Sequence, residues 1–157
     1  NASRENFRAI HDEPMSQGTR CRQLAEYIVF DSPLNMLCDS PSSYEREHEC
    51  TSFIAGIPTV WDHTTVLCGK VSEYIATARQ KGNIWYVGAM TNWEECTIEI
   101  DLSFLGAGDF KAEIFRDGVN AYRYARDYKK ELIEIPADRK LKVRMVPGGG
   151  FAARIYQ

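Results

Sequence analysis

Three histidines, His11, His48 and His63, and the adjacent carboxylates Glu94-Glu95 are the residue types here that could run metal or hydrolytic chemistry. His11-Asp12-Glu13 offers the donors of a cation site, but it precedes Pro14 in a polar stretch where such groups are solvated. The three histidines also lack the spacing of a ligand set. Asp62-His63, following Trp61, supplies two members of a Ser-His-Asp relay, yet no G-x-S-x-G or other activated nucleophile accompanies it, and a hydrogen bond at a junction explains the pair. A glycosidase needs two carboxyl groups facing one bond. Neighbours on extended backbone point to opposite sides, so Trp93-Glu94-Glu95 reads as a polar turn. Pro147-Gly148-Gly149-Gly150 has neither the lysine nor the following helix of a phosphate loop, and a turn with positive φ accounts for it.

Aromatic rings could stack on sugar faces, and Trp85, Tyr86, Trp93, Tyr122, Tyr124 and Tyr128 are the candidates. Trp85 and Tyr86 stand in a wholly apolar run and are expected to pack in a core. The loop tyrosines suit either carbohydrate or a contact with another domain or subunit.

The elements that must position these side chains change character near Pro58. Cys21, Leu24, Ala25, Ile28 and Val29 repeat with helical spacing and predict a helix over Thr19 to Phe30, ended by Asp31-Ser32-Pro33. Leu34 to Cys38 is a short apolar run that suits a buried strand. Ser40-Pro41 then opens a second helix with Cys50, Phe53, Ile54 and Ile57 on its apolar face, stopped by Gly56 and Pro58. From Thr64 onward short strands recur: Thr64–Cys68, Val71–Arg79 after a Gly69-Lys70 turn, Ile84–Met90 as the central strand, Cys96–Leu102, Phe110–Ile114, Lys129–Ile135, Leu141–Val146 and Phe151–Tyr156. A tyrosine-rich loop runs from Asp117 to Tyr128. The expected fold is α+β: a helix-strand-helix segment over 1–58, then an all-β antiparallel sandwich over 59–157.

Composition limits the partners. The 157 residues are 44% hydrophobic and 26% charged with a net charge of -3, and Lys140-Leu141-Lys142-Val143-Arg144 alternates as the wet face of a strand. No clustered basic surface calls for nucleic acid, and no run of roughly 20 apolar residues calls for a membrane. The five cysteines, Cys21, Cys38, Cys50, Cys68 and Cys96, lack any C-x-x-C pair and are expected to be buried small hydrophobes. Asn1-Ala2-Ser3 fits the N-glycosylation pattern.

Five segments in order and spacing carry a resemblance: Thr19-Arg20-Cys21-Arg22-Gln23-Leu24-Ala25, Asp31-Ser32-Pro33-Leu34, Trp85-Tyr86-Val87-Gly88-Ala89-Met90-Thr91-Asn92-Trp93, Ala112-Glu113-Ile114-Phe115-Arg116-Asp117-Gly118 and Pro147-Gly148-Gly149-Gly150-Phe151. Together they resemble the C-terminal part of glycoside hydrolase family 97, whose members are α-glucosidases or α-galactosidases with an N-terminal β-sandwich, a (β/α)8 barrel and a C-terminal β-domain associated with oligomerisation. The resemblance implies that residues 1–58 are the end of the barrel: Thr19–Phe30 a late helix, Leu34–Cys38 the last strand, and Ser43–Ile57 the last helix. It implies no catalytic residue and no metal ligand in this chain, with calcium belonging to the parent enzyme. Asp39, just past the last strand, falls at the rim where barrel active sites sit and is the one substrate-binding candidate. Arg22 stands where many relatives have histidine, on the polar side of its helix. The implied partners are the rest of the glycosidase chain, a second copy and the parent's oligosaccharide, and the implied location is periplasmic or extracytoplasmic. The alternative is a carbohydrate-binding module using Trp93 and the tyrosine loop.

Overall fold

Thr19 is extended and its hydroxyl accepts the Arg22 N–H, so helix α1 (Arg20–Val29) begins with a satisfied donor. In this computed structural model, which describes every residue except Glu13 and Cys38, Cys21, Leu24, Ala25 and Ile28 form the buried stripe of α1. Ser40 caps α2 (Pro41–Arg46) in the same way, through the Ser43 N–H. The single second helix expected from the sequence is broken at Glu47 (φ -103°, ψ 37°), and α3 (His48–Ala55) follows. The Glu47 carboxylate reaches Arg20 Nη1 at 2.7 Å, and the break lets α3 bury Cys50 and Phe53 while α2 buries nothing.

The expected buried strand at Leu34–Cys38 is not formed. Residues 34–37 have no strand geometry, and Leu34 and Met36 are 78% and 77% exposed; Cys38 lies outside the described residues. A strand is held by hydrogen bonds to flanking strands, and none of the described strands pairs with this segment.

Among the described residues the eight strands are β1 (His63–Lys70), β2 (Tyr74–Lys81), β3 (Ile84–Thr91), β4 (Cys96–Asp101), β5 (Lys111–Asp117), β6 (Tyr128–Glu134), β7 (Lys140–Met145) and β8 (Gly150–Tyr156). Six form one antiparallel sheet in the order β1-β2-β3-β8-β5-β6, and β4-β7 forms a two-stranded ribbon facing it. Val71, expected inside a strand, instead sits at the tip of the β1–β2 hairpin and is 94% exposed. A bulge between Val66 and Cys68 consumes one residue, so Gly69 stays in the ladder opposite Ile75 and the turn falls later, with Ser72 at φ 68°.

Both faces of the large sheet are covered. Against the ribbon, Ala76, Ala78, Val87, Ala89, Phe151 and Ile155 meet Ile98, Ile100, Val143 and Met145. On the opposite face α1 and α3 bring Cys21, Leu24, Ile28, Cys50 and Phe53 onto Tyr86, Phe115 and Ala152. Double coverage is why Ile84–Met90 reads as apolar throughout rather than alternating. Gly88 permits the approach of α1, since a Cβ there would stand 3.0 Å from Ile28 Cβ and from the Ala25 carbonyl oxygen. Cys21 and Cys50 are buried as expected, whereas Cys68 and Cys96 are only half-buried, because they lie where the ribbon meets the sheet's edge.

Candidate functional site

The side chains singled out for chemistry do not converge. His11 bonds Asp12 at 2.9 Å with both fully in solvent, and Glu13 lies outside the described residues. His48 leans on Ser52, and His63 on Thr65 with its ring edge-on to Trp85. Asp62 caps the β2–β3 hairpin, accepting from Lys81 Nζ and the Gly82 N–H, each at 2.8 Å. Glu95 forms a two-point pair with Arg144 across β4 and β7, which pulls its carboxyl below the ordinary range, and Glu94 is exposed. Among the described residues no three His, Cys, Asp or Glu side chains gather into one cluster. Asp39 is exposed, with its backbone N–H on the Tyr44 hydroxyl and its carboxylate on the Ser40 N–H. Asn1 of the glycosylation pattern bonds Gln23 and Arg20, and Ser3 is buried, so the pattern is built into the packing against α1.

Of the aromatics, Tyr86 is buried with its hydroxyl on the Gly56 carbonyl, and Trp85 packs on Phe104 at 4.5 Å, as expected of core residues. Tyr128 lies against Phe115, its hydroxyl donating to Glu49; burial and that carboxylate push its acidity down. Trp93 lies over Gly148. Tyr122 and Tyr124 remain in solvent, 50% and 70% exposed.

The best-built polar site is one the sequence does not announce. The Asp117 carboxylate, at the end of β5, accepts from the Thr19 hydroxyl (2.7 Å) and from the Val146 and Gly150 N–H groups (3.1 Å each). Burial pushes its pKa up to about 6, against the pull of these three donors and Arg144. The same Thr19 hydroxyl caps α1, and the Thr19 N–H donates to the Gly148 carbonyl, so one carboxylate ties the first helix to the last two strands. The glycine run exists for this joint: a Cβ on Gly149 would overlap the Asp117 carboxylate, and one on Gly150 would overlap the backbone of Arg22. Arg22 is more than a polar surface residue, because it also donates to the Thr91 carbonyl and so anchors α1 to β3. Thr19 and Asp117 stand 98 residues apart, which hides their contact from any local pattern.

A second polar cluster joins α3 to the sheet. Glu113 takes Arg154 Nη2 at 2.9 Å and Lys130 Nζ at 2.8 Å, and Lys130 also approaches Glu49 at 3.7 Å, beside an open depression of about 410 Å³. Each carboxylate is held by a cation or a tyrosine hydroxyl. Such an arrangement clamps α3 to the sheet.

Both clusters join elements that lie far apart in the chain. A sequence profile described as "Glycosyl-hydrolase 97 C-terminal, oligomerisation" matches residues 60–156. The chain belongs to that family. This glycosyl-hydrolase 97 C-terminal chain is 61% identical over 155 residues to a retaining alpha-galactosidase of Bacteroides thetaiotaomicron, covering 99% of its own length and 23% of the relative's. It is 28% identical over 131 residues to a probable retaining alpha-galactosidase of Streptomyces bingchenggensis, covering 83% of itself and 20% of that protein. In structure it matches a glycoside hydrolase family 97 enzyme from Pseudoalteromonas sp. strain K8 in complex with panose: TM-score 0.84, 36% identity, 88% of this chain and 22% of that one. A beta-arabinopyranosidase shares the fold at TM-score 0.78 and 20% identity, covering 91% of this chain and 22% of that one.

Proposed function

We propose that this chain is the non-catalytic C-terminal part of an α-glycosidase, and that its β-domain supports barrel packing and oligomerisation. The observation that carries this is the 61% identity to a retaining alpha-galactosidase along 99% of the chain, which spans only 23% of that relative. The exposed side chains of Leu34 and Leu37 support it, since an apolar run left in solvent between two helices is where further barrel strands would pair. In this reading residues 1–58 end the barrel, residues 59–157 are the β-domain, and Asp39 lies at the rim of the parent's active site. The parent cleaves terminal α-galactosides with retention, through two carboxylates that lie outside this chain. Calcium, where the parent uses it, binds outside this chain, and the whole acts in the periplasm or beyond.

The test is hydrolysis of p-nitrophenyl α-galactoside and α-glucoside by this chain alone and by the complete reading frame that contains it. The frame should cleave the galactoside while the chain alone is silent. Activity in the isolated chain would overturn the non-catalytic assignment, and cleavage of the glucoside alone would overturn the substrate. The exposure of Tyr122 and Tyr124 favours a second reading as a carbohydrate-binding module. Shifts of their NMR signals with millimolar galacto- or gluco-oligosaccharide would establish it, and silence would remove it.

A further inference from the structure

We propose that the tip of the β1–β2 hairpin and the groove beside it form the surface through which two copies of this chain associate, an inference that rests on the oligomeric role proposed above. Among the described residues no further strand pairs with β1 or β6, the two edges of the six-stranded sheet. The β6 edge carries Lys129, Lys130, Glu131 and Glu134, with Glu131 paired to Arg116 and Lys129, and charges of this kind guard an edge against other chains. Between His63 and Lys70 the β1 edge carries no charge at all. Val66 lies at its middle, 66% exposed, and Val71 at the hairpin tip is 94% exposed.

Beside them, on the helix-bearing side of the sheet, runs an open groove of about 490 Å³ lined by Val66, Ile75 and Met90 and flanked by Arg22, with Val71 on its rim. A two-fold interface applies the same patch of both copies to each other, so that patch must contain both a projection and a recess to receive it. Val71 and the groove supply the two on a single hairpin. Lys70 and Glu73 pair with each other beside Val71 within one hairpin, and a two-fold axis at the tip sets the pairs of the two copies side by side, cation against anion. The bulge between Val66 and Cys68 breaks the regular ladder on the free edge. Contact is therefore by side chains, tip into groove, rather than by one sheet running through both copies.

The experiment is sedimentation velocity on this chain across the micromolar range, with Val71→Asp, Val66→Asp and, as a control on the other apolar segment, Leu34→Asp. Thermal melts confirm that each variant is folded; Val71 is almost fully in solvent, so its replacement leaves the core untouched. The wild type should be a dimer, and Val71→Asp should raise its dissociation constant about tenfold or more, because each interface would then bury two unpaired carboxylates. Val66→Asp should act in the same direction, and Leu34→Asp should leave the dimer intact. A wild-type monomer would overturn the oligomeric reading and the surface with it. A wild-type dimer unmoved by Val71→Asp and Val66→Asp would leave that reading standing and overturn this surface. A dimer broken by Leu34→Asp alone would place the contact on the barrel-derived segment instead.

Discussion

Asp117 shows how a single carboxyl can make the stability of a chain depend on pH. Its folded pKa of about 6 lies above the ordinary carboxyl value of roughly 4, so between these limits the native state holds a proton that the unfolded chain lacks. The stability contributed by that proton is complete below pH 4 and is lost as pH rises through 6. The effect is on the order of 2–3 kcal/mol. Asp117→Asn removes the titration, so the difference in unfolding free energy between wild type and variant should shift by about that much, in the wild type's favour, from pH 7 to pH 4. Comparing the two proteins cancels the opposite trend of Glu47, Glu95 and Glu131, whose cationic partners hold their carboxyls low. A difference that is flat across this range, in denaturant titrations, would refute the assignment. Gly150→Ala makes a harsher change at the same joint, because the new methyl meets backbone rather than a flexible side chain. It should lower stability by several kcal/mol, on the order of 3 or more, and show a depressed melting temperature at every pH.

At the scale of elements, the question is what holds the helices to the sheet. Phe53, 4% exposed, stacks on Phe115 at 4.7 Å, and Leu24 and Ile28 of α1 are sealed against β3 and β8. Leu24→Ala should cost about 2–5 kcal/mol and Phe53→Ala about 3–5 kcal/mol. The first loosens the central helix and the second only α3, so hydrogen exchange should spread to β3 and β8 amides in Leu24→Ala but stay near β5 in Phe53→Ala. Equal and uniform exchange in both would show that the two helices do not act as separate covers. Elements are legible in the sequence where a local cause defines them. Ser40 caps α2 at the expected position, α1 begins within one residue of the expected Thr19, and the alternation of Ile98 and Ile100 with Thr97 and Glu99 marks β4. Elements escape a local reading where the cause is distant: the Glu47 break answers to Arg20, 27 residues away, and the late hairpin turn answers to a bulge seen only in the pairing.

For the whole molecule, the sheet is a shared wall with a ribbon on one side and helices on the other. Residues 59–157 expressed alone should therefore expose Tyr86, Phe115 and Ala152. Such a fragment should bind a hydrophobic dye and aggregate at concentrations where the full chain stays soluble. A soluble, cooperatively melting 59–157 would show that the β-domain needs no cover from the helices. Of the candidate site, the sequence marks Pro147–Gly150 as a turn with special backbone needs and places Tyr86 in the core. It does not mark Asp117, because a carboxylate becomes a joint only when chain ends meet.

By itself the sequence determined the starts of α1 and α2, the change from helical to alternating periodicity near Pro58, and the antiparallel β character of the residues beyond it. Caps, turns and periodicity act over a few residues and are written locally. Only the tertiary structure decided the order β1-β2-β3-β8-β5-β6, the covering of both faces of β3 and β8, the exposure of Leu34 and Leu37, and the gathering of Thr19, Gly148, Gly150 and Asp117. These depend on which surfaces meet and on which hydrogen-bonding partners are present to meet them. Strand pairing and burial are properties of neighbours in space, and a segment such as Leu34–Leu37 cannot become a strand without them.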